Sequence, residues 1–206
     1  MAPGAPSDSV PPLHPRGSRT PSIRASYLKS AMGALSLLDS GAAVAARARL
    51  PPRIILDIER ALSIDWLPVS YDLVITEAVG AACGRAGVRR WGREGMLASL
   101  QGPLLRSILN GAIAIFGLSP RALIRHARPI WSQIYRDCGE LVVDLTGDTQ
   151  VLLRFDDIPA ELRSAAYAEG MAGALEATLV VAKRAGDVTF SYPHPTQLSF
   201  CVRWSE

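Results

Sequence analysis

Lysine is almost missing from this chain of 206 residues: Lys29 and Lys183 stand alone, and arginine carries nearly all of the positive charge. Histidine and cysteine are scarce as well, at three each. Cys83, Cys138 and Cys201 are far apart, and no pair has the C-x-x-C spacing of a zinc or redox site, which fits a reduced, cytoplasmic protein. No apolar run is long enough to span a bilayer; the longest, Ile108–Leu118, reads as a buried helix. An apolar h-region is missing near the N-terminus, so a secretory signal is not expected. The net charge is only +3, and no helix-turn-helix, zinc-finger or RNP pattern accompanies it, which argues against nucleic acid as a partner.

What remains is 49% hydrophobic and 20% charged, the balance of a chain with one sizeable core. Residues 1–24 hold six prolines and hardly any large apolar side chain, so they are expected to form a disordered tail. Its arginines Arg16, Arg19 and Arg24 suit a solvated linker better than a membrane or nucleic-acid contact. Residues 25–206 are expected to form a single α+β domain.

The first half of that domain has helical periodicity. Tyr27, Leu28, Met32, Leu35 and Leu38 mark one helix, broken at Asp39-Ser40-Gly41, and a second runs through Val44 to Arg49. Pro51-Pro52 opens a third, with Ile54, Ile55 and Ile58 inward. Asp65–Val69 reads as a bend, after which Tyr71, Leu73, Val74, Ala78 and Ala81 outline a helix to Gly84 or Gly87. Further helices are expected at about 90–101, 103–116 and 119–137, with Ser119-Pro120 a good start for the last and Gly139 a good stop.

Then the period changes to two. Glu140–Leu145 and Gln150–Phe155 are strand-like and flank Thr146-Gly147-Asp148-Thr149, which is hairpin chemistry. Asp156-Asp157-Ile158-Pro159 is expected to cap a long helix ending before Gly186. Val188–Tyr192 and Leu198–Trp204 make a second hairpin around Pro193-His194-Pro195. The plan is therefore a helical N-terminal half followed by β-β-α-β-β, giving a four-stranded antiparallel sheet with a long helix packed on it. That helix gathers Ala166, Gly170, Gly173, Ala174 and Ala177, a small-residue face suited to close approach onto the sheet.

Catalytic patterns are missing. His14 lies in the tail, His194 in a turn, and His126 between Arg125 and Arg128 without a carboxylate or second histidine one turn away. There is no G-x-S-x-G elbow, and Gly92-Arg93-Glu94-Gly95 is not a phosphate loop. Asp156-Asp157 reads as a helix cap rather than a catalytic pair. Cys83 and Cys201 read as buried small hydrophobes, and Cys138 as partly exposed. Arg85, Arg89, Arg90 and Arg93 surround Trp91 and are the candidate anion- or partner-binding residues; the alternative is a solvated basic face, like the later stripe of Arg121, Arg125 and Arg128.

Three strings carry a resemblance: Asp65-Trp66-Leu67-Pro68-Val69-Ser70-Tyr71, Ile134-Tyr135-Arg136-Asp137-Cys138-Gly139 and Phe200-Cys201-Val202-Arg203-Trp204. Over about residues 26–206 the chain resembles an uncharacterised family of roughly 200-residue proteins expanded in myxobacteria. The helices-then-ββαββ plan is also similar to the superfamily of haem-based nitric-oxide sensors, four-vinyl-reductase-type ligand-binding domains and TRAPP vesicle-tethering subunits. That resemblance implies a pocket between the helical half and the sheet, and dimerisation through helices. The sensors' Tyr-x-Ser-x-Arg haem clamp has no match; Tyr27-Leu28-Lys29-Ser30 has the wrong spacing. The expectation is a cytoplasmic, non-enzymatic binding module with no cofactor and no bound metal, taking a small apolar ligand or a protein partner. The alternative is an assembly subunit comparable to a TRAPP component. A third reading, an enzyme, would need a buried cluster drawn from Glu169, Tyr167, Arg136 and Asp137.

Overall fold

The structure is a computed structural model describing residues 20–102, 106–107, 110–111 and 118–205. Most of the expected 1–24 tail and of the helix expected at 103–116, and much of the run Ile108–Leu118, lie outside the described residues.

Chain order is β1 (Ser22–Arg24), α1 (Ala25–Ala34), α2 (Ser40–Arg49), α3 (Pro52–Arg60), β2 (Trp66–Pro68) and α4 (Ser70–Gln101). Then follow α5 (Pro120–Arg125), α6 (Ala127–Ile134), β3 (Tyr135–Arg136), β4 (Glu140–Asp144) and β5 (Gln150–Asp156). The chain closes with α7 (Ala165–Val181), β6 (Gly186–Ser191) and β7 (Leu198–Trp204).

The two hairpins lie side by side in one antiparallel sheet of order β4-β5-β7-β6. Inward-facing Val151, Leu153 and Phe155 of β5 meet Val202, Phe200 and Leu198 of β7 in register, all buried. Helix α7 packs on β6 and β7 and against α4, as the expected layer requires.

Local signals explain several boundaries. Asp39 accepts from the Ala42 N–H at 2.9 Å and caps α2, and Ser119 accepts from Ala122 at 3.1 Å to cap α5, each contributing about 1 kcal/mol. Proline opens both α3 and α5. Helix α4 bends at Gly84, whose φ of 66° and ψ of −172° belong to a region that only glycine enters without strain, and it then continues to Gln101.

Several expectations are corrected. Ser22–Arg24, placed in the tail, form β1, which pairs with β2 and β3 in a second, three-stranded sheet. Strands of two or three residues are too short to show alternation, so Asp65–Val69 read only as a bend. The last helix before the sheet is two short ones meeting at His126, and it stops at Ile134 rather than Gly139. Helix α7 starts eight residues after Asp157: Ser164 is the cap, accepting from Tyr167 N–H at 3.0 Å, while Asp156 ends β5 and Asp157 takes φ of 55° in the turn. On the first half of α4 the buried face is Asp72, Ile75, Thr76, Ala78 and Val79; of the expected residues Ala78 is buried, Tyr71, Leu73 and Val74 are half-buried and Ala81 is exposed.

The small-residue face of α7 also has a different neighbour. A Cβ on Gly173 would lie 1.9 Å from the Arg89 carbonyl oxygen, and one on Gly92 would lie 2.1 Å from that of Gly170. The close approach is therefore to α4, helix on helix, and not to the sheet. Glycine there trades about 1 kcal/mol of helix propensity per residue for backbone contact.

Candidate functional site

Helices α5, α6 and α7, strands β4 and β5, and parts of α1 and α4 enclose a cavity of about 70 Å³. Its described lining includes Met96, Leu123, Ile130, Leu153 and Met171, with Trp131 and Phe155 supplying rings. The Trp131 ring stacks on Tyr135 at 4.0 Å and meets Phe155 edge-on at 4.7 Å. Among the described lining residues only Tyr27, Tyr135 and Thr178 carry a side-chain oxygen.

Next to it lies a buried polar cluster around a gap of about 10 Å³, the size of one water. Asp72 from α4, 3% exposed, accepts a 2.9 Å hydrogen bond from the Tyr135 hydroxyl. Thr76 hydroxyl donates to the Asp72 carbonyl at 2.7 Å, and Trp91 Nε1 donates to Ala31 carbonyl at 2.8 Å. Tyr167, 4% exposed, turns its hydroxyl into the gap with no hydrogen-bond partner of ordinary geometry, although Tyr135 is near enough to affect its ionisation. Burial raises the Asp72 pKa to about 6, moderated by the Tyr135 hydrogen bond. Burial, with Asp72 beside them, pushes Tyr27, Tyr135 and Tyr167 upward, so all three stay neutral phenols.

Sequence reasoning missed this cluster. Asp72 looks like an ordinary first-turn acid that favours a helix N-terminus. Its spacing to Ile75, Thr76 and Val79 was the available sign that it faces inward.

The four candidate arginines are placed elsewhere. Arg85 donates to Glu169 through Nε at 2.8 Å, and Arg89 reaches Glu169 at 3.3 Å and Glu176 at 2.6 Å. Arg93 pairs with Glu94 at 3.3 Å, and Arg90 donates to the Leu37 carbonyl at 2.9 Å. The first three thus serve ion pairs, and Arg85 and Arg89 tie α4 to α7 across the glycine contact. The residues offered for a hidden enzyme site do not converge: Glu169 joins this network, Tyr167 the Asp72 cluster, and Arg136 lies 4.1 Å over the Trp66 ring opposite Arg24 at 3.8 Å. Asp137 occupies a turn at φ of 55°.

The cysteines reverse their expected order. Cys138 is buried, Cys83 and Cys201 only partly so, and all are free thiols. Burial pushes the Cys138 thiol up to about 12, which leaves it protonated and unreactive. Among the described residues no His, Cys, Asp and Glu group has the geometry of a metal site.

No family model matches this chain, and no curated protein matches it. Solved structures do. A mutant H-NOX protein from K. algicida, Fe(II) and unliganded, superposes with a TM-score of 0.61 at 9% identity, over 89% of this chain and 97% of its own. This chain has the H-NOX fold. An oxygen complex of an oxygen-binding H-NOX domain related to soluble guanylate cyclases gives 0.60 at 10% identity, and a doubly substituted Tt H-NOX gives the same values, each over 89% and 96%. None of these three is a vesicle-tethering subunit. No helix among the described residues is long and apolar enough to cross a membrane.

Haem, which the fold family implies, does not fit the described residues. Among the described residues the cavity wall offers no imidazole, thiol or cation, only the weak thioether donors of Met96 and Met171, and His126 is not part of it although Ala127 beside it is. A volume of about 70 Å³ also falls well short of the roughly 300–1,000 Å³ of cofactor pockets.

Proposed function

We propose that this protein is a haem-free binding module that receives a small apolar ligand between α5–α6 and the large sheet, acting as a cytoplasmic sensor or regulator without catalysing a reaction. The observation that carries this reading is the apolar cavity of about 70 Å³ at that junction. Empty apolar cavities stay dry, and one of about 150 Å³ takes benzene or xenon, so this smaller one suits a ligand of a few heavy atoms. An oxygen-binding domain of the same fold gives the reading a precedent in kind, not in ligand.

Selective methyl labelling of methionine tests it. Xenon is expected to shift the Met96 and Met171 methyl resonances, which line the cavity, and not that of Met32. Haemin added to the same sample is expected to leave its absorption that of free haemin. A stoichiometric, saturable haemin spectrum, or no xenon response at Met96, defeats the reading.

A further inference from the structure

The apolar cavity and the gap in the Asp72 cluster adjoin at Tyr27, Tyr135 and Met171, which line both. The cluster holds two buried polar groups that folding leaves only partly satisfied. The Tyr167 hydroxyl is buried beside Tyr135 without a hydrogen bond of ordinary geometry, which leaves an acceptor facing the gap unused. Asp72 is a buried carboxyl that takes part in none of the ion pairs among the described residues. A buried carboxylate is ordinarily paired, and this one is ringed by aromatic side chains instead: Tyr27, Trp91, Tyr135 and Tyr167.

A carboxylate enclosed by aromatic rings is the arrangement that recognises an ammonium group. The rings attract the cation through their faces, and the carboxylate supplies the opposite charge in a medium that screens little. The gap of about 10 Å³ is the size of a water or an –NH₃⁺ group, and too small for a larger head. Past Tyr27, Tyr135 and Met171 the apolar cavity has space for a short hydrocarbon. We infer that the cluster is the head-group subsite of the apolar cavity, and that the ligand class is a small primary alkylammonium ion. The three N–H donors would engage Asp72 and the lone pairs of the Tyr167 and Tyr135 hydroxyls, while the alkyl body lies against Met96, Leu153 and Met171.

This assignment rests on the apolar-ligand reading above, and three probes separate the two. With methionine-methyl-labelled protein, n-propylammonium is expected to shift Met171 at a concentration at least about tenfold lower than n-propanol does, since only the cation gains from the charge and the rings. Asp72→Asn and Tyr167→Phe are expected to shrink that preference while leaving the xenon shift of Met96 in place. If n-propanol binds the unsubstituted protein as well as n-propylammonium, or if Asp72→Asn keeps the preference, the head-group assignment is wrong and the cavity reading stands. If xenon also leaves Met96 unmoved, both fall. The amine-to-alcohol comparison on the unsubstituted protein decides the matter even where a variant does not fold.

Discussion

The Tyr135 hydroxyl donates to Asp72 Oδ2 across 2.9 Å, joining residues 63 positions apart in sequence. This bond ties the small sheet to the first buried turn of α4 and places a titratable acid at the edge of the apolar cavity. Several measurable consequences come from it and from the helix pair behind it.

Asp72 makes stability depend on pH. Its pKa is about 6 in the fold and 3.8 ordinarily, so between those values the folded chain holds more protons than the unfolded one. Stability therefore falls as pH rises from about 4 to about 6, by on the order of 3 kcal/mol in all. The groups facing it, Tyr27, Tyr135, Tyr167 and Cys138, all have raised pKa values and do not titrate there. Asp72→Asn is expected to be the more stable protein at pH 7.5 and to lose most of that advantage by pH 4. Urea unfolding at several pH values checks this; parallel curves for the two proteins would contradict it.

Neighbouring glycines on α7 should respond in opposite senses. A Cβ on Gly170 would meet only side-chain atoms at 3.6 Å or beyond, so Gly170→Ala is expected to be neutral or to stabilise by up to about 1 kcal/mol. Gly173→Ala drives its methyl into the Arg89 carbonyl and is expected to cost about 1–3 kcal/mol or more. Thermal unfolding of the pair gives the comparison.

The arginines on α4 should differ according to burial. Arg89 is the less exposed partner of buried Glu169 and also holds Glu176, so Arg89→Ala removes both contacts while Arg85 stays on Glu169, and is expected to cost about 1.5–3 kcal/mol. Arg85 is 80% exposed on its side chain, and Arg85→Ala is expected to cost less than about 1 kcal/mol. Equal losses would mean that the exposed arginine holds Glu169 as firmly as the covered one.

Filling the cavity should remove the ligand response without unfolding the protein. Ala174 lines the apolar wall from α7, and Ala174→Leu is expected to abolish the xenon shift of the Met96 methyl. A change in stability within about 2 kcal/mol of zero is expected, since added methylenes replace empty space.

Much of this was legible along the chain. The switch from helical to alternating periodicity at Glu140 located the sheet, and Leu198, Phe200, Val202 and Trp204 declared one face of β7. Ser119-Pro120 marked a helix start because capping is a local hydrogen bond between near neighbours, whereas Asp39 read only as a break and proved to be the cap of α2. The arginine cluster was visible but its partners were not, because Glu169 lies 84 residues from Arg85. Asp72 gave only its spacing to Ile75, Thr76 and Val79 as a sign, and an acid in a first helical turn is ordinary until the face it occupies is known.

The sequence by itself determined the helices-then-β-β-α-β-β plan, the α+β layering and the lack of a familiar catalytic pattern, because these follow from periodicity and from interactions within a few residues. Tertiary structure alone decided that Gly173 packs on Arg89, that Asp72 lies among four aromatic rings, and that the cavity stays small. Those outcomes depend on distances between helices and strands remote in the chain, and burial, which sets both the cost of a charge and its pKa, exists only once those elements have closed around it.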